Sequence, residues 1–133
     1  MAEKKTSISE TPTTKDLKAS DGWLQMDVKL LVTDSHLGSK YTTVGRTVFP
    51  PGGSSQHALH KHNNAEEIII VLAGQGYSII GEDKILVKPG DVCYIPPGVA
   101  HGFGNESPNE PCEIIFIYGG APSVEKSGYE VVK

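Results

Sequence analysis

Turn-forming residues interrupt this chain at short intervals, and they constrain its fold more than any other feature. Glycine and proline, 15 and 9 of the 133 residues, cluster where apolar runs end. Proline cannot donate to a β-ladder and glycine readily takes turn dihedrals, so each cluster predicts the end of a strand. No ten-residue stretch shows a helical period. The pattern predicts an all-β sandwich or barrel, with turns at 50–53, 74–76, 81–83, 89–91, 96–98 and 119–120.

The segments between these turns are short and rich in β-branched and aromatic residues, as strands are. The predicted strands are 23–32, 41–49, 67–73, 77–80, 84–87, 92–95 and 112–118. The tail 121–133 offers Tyr129, Val131 and Val132 for a last edge strand.

Two of the strands, around 68–73 and 114–118, are apolar on both faces. Both faces therefore need cover, either from two packed sheets with a subunit interface or from a closed barrel. Burying the second face against another copy is the simplest solution, so we predict a homodimer.

Composition and charge narrow the partners and the location. The net charge is −4, and no basic run or stripe is present, so nucleic acid is not an expected partner. The longest apolar run has six residues, too few to span a membrane, and no targeting segment is visible. We expect a cytoplasmic protein with reduced cysteines at 93 and 112. Residues 1–20 are polar and predict a mobile arm, or an arm that adds a strand to a partner subunit; residues 21–133 predict a single domain.

A histidine-rich stretch, residues 57–67, carries the chemistry. His60 and His62 are two apart, so in an extended strand both imidazoles point to one face. Glu66 or Glu67 adds a carboxylate after a short turn. Imidazole with carboxylate suits Zn, Fe, Mn, Ni or Cu better than Ca. His57 lies at an odd spacing and would face away in a regular strand, an expectation that only a bulge would overturn.

The chain resembles the cupins, small double-stranded β-helix barrels of the jelly-roll type. Their first motif, G-x5-H-x-H-x3/4-E-x6-G, is matched by His60, His62, Glu67 and Gly74, with Ser54 in place of the leading glycine. Their second motif, G-x5-P-x-G-x2-H-x3-N, is matched at every position, by Gly90, Pro96, Gly98, His101 and Asn105.

The resemblance implies a jelly-roll fold and the metal ligands His60, His62, Glu67 and His101. Glu67 is preferred over Glu66 because only Glu67 leaves six residues before Gly74. The expected cofactor is one divalent transition metal, Fe, Mn, Ni, Co, Cu or Zn. The alternative is a metal-free pocket in which the same polar groups satisfy one another.

A site of this kind predicts a small-molecule substrate. Four protein ligands leave coordination positions open, which favours a metal-dependent enzyme acting on a small oxygenated organic acid or ketone, of dioxygenase or decarboxylase type. The alternatives are a sugar isomerase or epimerase, a lyase-type cupin, or a cupin that binds a small ligand without turnover. Arg46 either faces inward to a substrate carboxylate or lies outside in an ion pair. The candidate pocket residues are His57, Arg46, Tyr77, Tyr94, Phe103 and Tyr118.

Overall fold

The chain folds into eleven β-strands in a computed structural model that describes residues 4–53 and 55–132. The strands are β1 Trp23–Leu24, β2 Asp27–Val32, β3 Thr42–Phe49, β4 Gln56–His62, β5 Glu66–Ala73, β6 Gly76–Ile80, β7 Asp83–Val87, β8 Val92–Ile95, β9 His101–Gly104, β10 Cys112–Gly119 and β11 Tyr129–Val131. Within the described ranges the one helical segment is a 3-10 turn, Ala19–Asp21. The predicted all-β class is confirmed.

Two antiparallel sheets face each other. The first, sheet A, has the order β1-β4-β9-β6-β7, with β11 also paired to β4. The second, sheet B, has the order β2-β3-β10-β5-β8. The chain crosses repeatedly from one sheet to the other, which is the double-stranded β-helix that the sequence predicts.

The core fills the space between the sheets because alternate residues of each strand point inward. Ile69 and Val71 of β5 lie beside Phe116 and Ile114 of the adjacent strand β10 on the inner face of sheet B, and all four are buried. The ring of Phe116 occupies the space where a side chain at Gly45 of β3 would otherwise lie. The same alternation places Glu67 on the inner face, at the start of β5.

The predicted strand 23–32 is wrong in one respect, since it is broken into β1 and β2. Gln25 has a positive φ of 52° and turns the chain between them. The two pieces then pair in different sheets, β1 with β4 and β2 with β3. Leu24 and Val28 therefore do not share one face of a continuous strand.

The tail and the two cysteines have the structure that the sequence predicts. The tail forms the edge strand β11, paired with β4. Cys93 and Cys112 are buried and free. No helix in the described part of the chain has the length and hydropathy needed to span a bilayer.

The described part of the N-terminal arm packs against strand β2 of the same chain. The backbone N–H of Thr14 donates to the carbonyl of Val28 at 2.7 Å, and Lys29 Nζ donates to the carbonyl of Ile8 at 2.7 Å. These contacts run along the edge strand β2. Residues 1–3, Ser54 and Lys133 lie outside the described residues, and addition of the arm to a partner remains a prediction.

Candidate metal centre

Four buried side chains from three strands meet on the inner face of the barrel. His60 and His62 lie at the end of β4, Glu67 follows after the turn into β5, and His101 opens β9 opposite His60. One donor atom from each of the four lies within 4.8 Å of the others. Antiparallel pairing with β4 makes His101 the first residue of β9.

The Glu67 carboxylate lies at the centre of this cluster. Its Oε1 lies 2.8 Å from His101 Nε2 and 3.1 Å from His62 Nε2. Burial alone would favour the protonated acid, yet the hydrogen bond from His101 and the close approach of His62 lower the pKa of Glu67 to about 2. Burial disfavours a charged His101, but its hydrogen bond to Glu67 outweighs this and raises the His101 pKa. The cluster therefore combines a carboxylate anion with a position that favours positive charge.

In each of the three cluster histidines, the outer nitrogen, Nδ1, already has a hydrogen-bond partner outside the cluster. His60 Nδ1 donates to the Ala58 carbonyl at 2.7 Å, and His101 Nδ1 donates to the Val99 carbonyl at 2.9 Å. His62 Nδ1 bonds to Ser127 Oγ at 2.8 Å. A carbonyl can only accept, so Nδ1 of His60 and of His101 carries a proton. Ser127 Oγ donates to the Val124 carbonyl and therefore accepts from His62 Nδ1, which leaves the Nε2 lone pair of neutral His62, like that of His60, directed into the cluster.

This arrangement fits a metal ion. His62 Nε2 is buried without a hydrogen-bond donor, and the nearest group is the Glu67 oxygen, which is itself an acceptor. Two buried acceptors facing each other need a cation between them, since an unsatisfied buried acceptor costs roughly 1–3 kcal/mol. Burial and the charge of His101 lower the pKa of His60 to about 3, which keeps its imidazole neutral and able to coordinate.

His57 faces the cluster, contrary to the expectation from alternation. The β4–β9 register shifts between His57 and His60, and this irregularity turns the His57 ring inward. Its ring stacks on that of His60, with centroids 3.7 Å apart, and on its other side lies Trp23 at 4.1 Å. Burial and the neighbouring His60 hold the His57 pKa well below its usual value.

A small cavity of about 20 Å³ adjoins the cluster. That volume accommodates about one water-sized group. Of the predicted pocket residues, His57, Phe103 and Tyr118 line it. The lining also includes residues that sequence reasoning did not single out as pocket candidates: Trp23, Thr47, Ile69, Gly102, Ile114 and Phe116. Inward alternation within β3, β5 and β10 would have predicted most of these.

Three predicted pocket residues lie on the outer faces of the sheets instead. Arg46 Nη2 contacts Asp27 Oδ2 at 3.3 Å, and its Nη1 contacts Glu113 Oε2 at 3.7 Å. Position 46 alternates with the inward-facing Thr47, so the guanidinium is covered by an ion-pair network and does not reach the cavity. Of the two alternatives for Arg46, the structure shows the outer ion pair, and the predicted role in the pocket is wrong.

Tyr94 and Tyr77 point outward for the same geometric reason. Tyr94 is 53% exposed and donates to Glu66 Oε1 at 2.8 Å, which also places Glu66 outside the cluster. Tyr77 alternates with the buried Ser78 and lies over Gly104, with Lys84 Nζ 4.5 Å from its ring centroid. Their proposed pocket role is therefore wrong.

Asn105, the last position of the second motif, supports the fold and does not touch the cluster. It is buried, and its Nδ2 donates to the carbonyls of Phe49 at 3.0 Å and Glu110 at 2.7 Å. Its Oδ1 accepts from the backbone N–H of Ser107. The side chain thus ties the end of β3 to the loop after β9.

The sequence of this chain is similar to a known family of domains and to two known proteins. Residues 45–118 match the family model described as the cupin domain. An uncharacterized protein of Methanocaldococcus jannaschii is 36% identical over 87 residues, covering 65% of this chain and 66% of that protein. An oxalate-binding protein of Thermotoga maritima is 30% identical over 81 residues, covering 61% and 65%. The chain thus spans just under two thirds of the length of these curated relatives.

Solved structures extend the likeness. The crystal structure of a predicted oxalate decarboxylase from Thermotoga maritima shares 27% identity at a TM-score of 0.64, covering 71% of this chain and 80% of that one. The polyketide cyclase RemF of Streptomyces resistomycificus shares 18% identity at a TM-score of 0.77, covering 98% and 86%. The second likeness concerns the fold alone.

Proposed function

This chain belongs to the cupin family, and from that membership we propose that it is a metal-dependent enzyme acting on a small oxygenated organic acid or ketone, of decarboxylase or dioxygenase type. The observation that carries the proposal is the buried cluster of His60, His62, Glu67 and His101, in which His62 Nε2 lacks a donor. These four residues would hold one divalent transition metal, Fe, Mn, Ni, Co, Cu or Zn. When bound, such a metal supplies Lewis acidity toward the oxygens of a carboxylate or an enolate, or redox chemistry with O2.

The protein's own residues contribute exclusion of water and fixed protons. Phe49, Phe103 and Phe116 wall the cavity beside the cluster, so a substrate there is shielded from solvent. Tyr129 Oη donates to the carbonyl of Asp21, and it therefore accepts from His57 Nε2 at 2.9 Å. This bond keeps the proton of neutral His57 on Nε2.

The polarity of the cavity supports an acid over a sugar. Outside the four-residue cluster, its polar lining groups are Thr47, His57, Tyr118 and the indole of Trp23. A sugar would need a hydrogen-bond partner for each of its several hydroxyls, whereas a small acid can direct both oxygens at a metal.

A second candidate function is binding of a small acid without turnover. The relative named as an oxalate-binding protein supports this candidate. Oxalate is accordingly the first compound to test, because it discriminates between the two candidates.

The test uses protein loaded separately with each of the six metals. Oxalate binding is followed by calorimetry, and formate and carbon dioxide are measured as products; other 2-oxo and 2-hydroxy acids follow. We expect metal-dependent turnover of one such acid, abolished in His101→Ala and retained in the outer-face control Tyr94→Phe. Binding without any product would favour the second candidate, and turnover unchanged in His101→Ala would overturn the metal-centred proposal.

We also propose that two copies pack through the outer face of sheet B. One row across five strands is entirely apolar and consists of Val32, Val44, Ile117, Ile68 and Tyr94. The next row holds two cations, and both already have partners: Arg46 contacts two carboxylates, and Lys29 Nζ donates to the Ile8 carbonyl. Because this face has few unpaired charges, it lacks polar groups that would recognise a different protein. A two-fold contact would bury the face against the same face of a second copy.

A further inference from the structure

His62 differs from the other two cluster histidines in what holds its outer nitrogen. His60 and His101 each donate to the carbonyl two residues earlier in the chain, Ala58 and Val99. His62 instead bonds to the side chain of Ser127, which is 65 positions away. Its orientation therefore depends on tertiary structure, while that of the other two is set locally.

The hydroxyl of Ser127 has a defined direction. Ser127 Oγ lies 2.5 Å from the carbonyl oxygen of Val124, which can only accept. A hydroxyl has one proton, so Ser127 donates to Val124 and must accept from His62 Nδ1–H. Both Ser127 and His62 are buried, so water does not compete for these bonds. The chain of donors runs from the imidazole through the hydroxyl to the carbonyl.

The turn that supplies Ser127 is fixed against the segment that follows His62. The backbone N–H of Asn64 donates to the Ser127 carbonyl at 2.9 Å, and that of Asn63 donates to the Gly128 carbonyl at 3.3 Å. Gly128 has a φ of +74°, and a Cβ there would lie 3.0 Å from Asn64 Nδ2. Only glycine fits this position without strain, so the turn docks in one register.

This turn lies beyond the part of the chain that matches the cupin domain, residues 45–118. The four cluster residues lie inside that part, but the partner of His62 does not.

We propose that Ser127 is a positioning residue of the metal centre, which fixes the Nδ1–H tautomer and the ring orientation of His62 so that Nε2 faces the ion. This inference rests on the proposed metal-dependent function. Partners that hold the second nitrogen of a ligating histidine orient the ring and raise its basicity, and losing one typically lowers metal affinity about 10–100-fold.

The test compares Ser127→Ala with Ser123→Ala. Ser123 lies in the same turn, and its Oγ accepts from the backbone N–H of Lys126 without reaching a histidine. We expect Ser127→Ala to lower the calorimetric affinity for Co²⁺ about 10–100-fold, and Ser123→Ala to leave it unchanged. Equal affinity in wild type and Ser127→Ala would overturn the proposal.

A second measurement does not depend on metal. Long-range ¹H–¹⁵N NMR of the chelator-treated wild type at mildly alkaline pH reports the histidine tautomers directly. We expect His62 as the Nδ1–H form in wild type and in Ser123→Ala, and a mixture of tautomers in Ser127→Ala. An Nε2–H form of His62 in wild type would overturn the inference. A wild type that binds no Co²⁺ but shows the Nδ1–H form would instead overturn the proposed function and leave the positioning of His62 standing.

Discussion

Glu67 is the one anion among three histidines, and its charge decides how the cluster behaves. Both of its close contacts, to His62 and His101, involve the same oxygen, Oε1. At neutral pH the carboxylate is ionised despite its burial, because the hydrogen bond from His101 and the neighbouring His62 hold its pKa at about 2. A cation of any kind is therefore attracted to this point, whether it is a proton on His101 or a metal ion.

Replacing Glu67 with glutamine should abolish tight metal binding. Glu67→Gln keeps the size of the side chain but removes its charge and one ligand oxygen. We expect the affinity for Co²⁺ to fall by more than the roughly 10–100-fold that the loss of a supporting partner costs. Glu66→Gln is the matched control, because Glu66 bonds to Tyr94 on the outer face. A Glu67→Gln protein that binds Co²⁺ as wild type does would contradict the ligand assignment.

Acid should destabilise the metal-free protein. The folded-state pKa of His60, about 3, lies below its ordinary value of 6.5, and that of Glu67, about 2, lies below 4.5. Between the two pKa values of each group, the unfolded chain binds more protons than the folded protein. The free energy of unfolding therefore decreases as the pH is lowered, by up to about 1.4 kcal/mol per pH unit for each group. The raised pKa of His101 has the opposite effect on stability. Its stabilising contribution is complete below pH 6.5 and is lost as pH rises through the folded-state pKa.

Urea unfolding of the chelator-treated protein, from neutral pH down to about pH 4, measures this dependence. The decline should be shallower in His60→Gln, which lacks the group that titrates. A free energy of unfolding that stays constant or rises on acidification in wild type would contradict the protonation states described for the cluster.

At the scale of elements, the close approach of β3 and β10 is what shapes the cavity wall. Phe116 of β10 is 3% exposed and fills the space over Gly45 of β3. A Cβ at position 45 would overlap this aromatic ring. The glycine is thus needed for packing, and its φ is not in the left-handed region.

Gly45→Ala should overpack the core. We expect it to lower the free energy of unfolding by about 1–3 kcal/mol. In the double variant Gly45→Ala/Phe116→Leu, the smaller side chain leaves room for the added methyl, so the two effects should not add. Chemical denaturation of the four proteins of this cycle measures the coupling, and strict additivity would show that the ring and the glycine do not interact.

The strands were predictable where alternation continues without interruption. Thr42–Phe49 and Val92–Ile95 agree with the predicted strands to within one residue, because turn residues bound them and both are rich in β-branched or aromatic residues. The positive φ of Gln25 was not predictable from the residue pattern, since glutamine rarely adopts it. The inward rotation of His57 was missed likewise, because a register shift depends on the partner strand.

The candidate site was predictable to the same extent. The spacing of His60, His62 and Glu67 predicted residues that the fold brings together, since these three lie on two consecutive strands, β4 and β5, joined by the short turn 63–65. The support that Ser127 gives to His62 spans 65 positions and has no local pattern. Arg46 was ambiguous because its burial comes from ion pairs with neighbouring strands, which the sequence of β3 alone does not contain.

At the scale of the whole molecule, the outer face of sheet B is the surface without an obvious cover. Three of its side chains are well exposed: Val92 at 64%, Tyr94 at 53% and Leu72 at 44%. Contiguous exposed apolar surface of this kind usually marks an interaction site. The predicted homodimer would bury it.

A charge on this face should separate the two copies. We expect wild type to sediment at twice the 14.2 kDa chain mass and Val92→Lys to sediment as a monomer, because a desolvated ammonium opposes association. Leu86→Lys is the control, since Leu86 is 77% exposed on β7 of the other sheet. A wild type that is monomeric at micromolar concentration, or a Val92→Lys protein that remains dimeric, would contradict this interface.

The central claim is that His60, His62, Glu67 and His101 together bind one metal ion. Elemental mass spectrometry of the purified protein, after exposure to divalent transition metals and removal of the excess, tests it most directly beside His60→Ala/His62→Ala. We predict about one bound ion per chain in wild type, by the donor set of the cluster, and none in the double variant. A wild type that stays empty after reconstitution, or a double variant that retains the same metal, would contradict the claim.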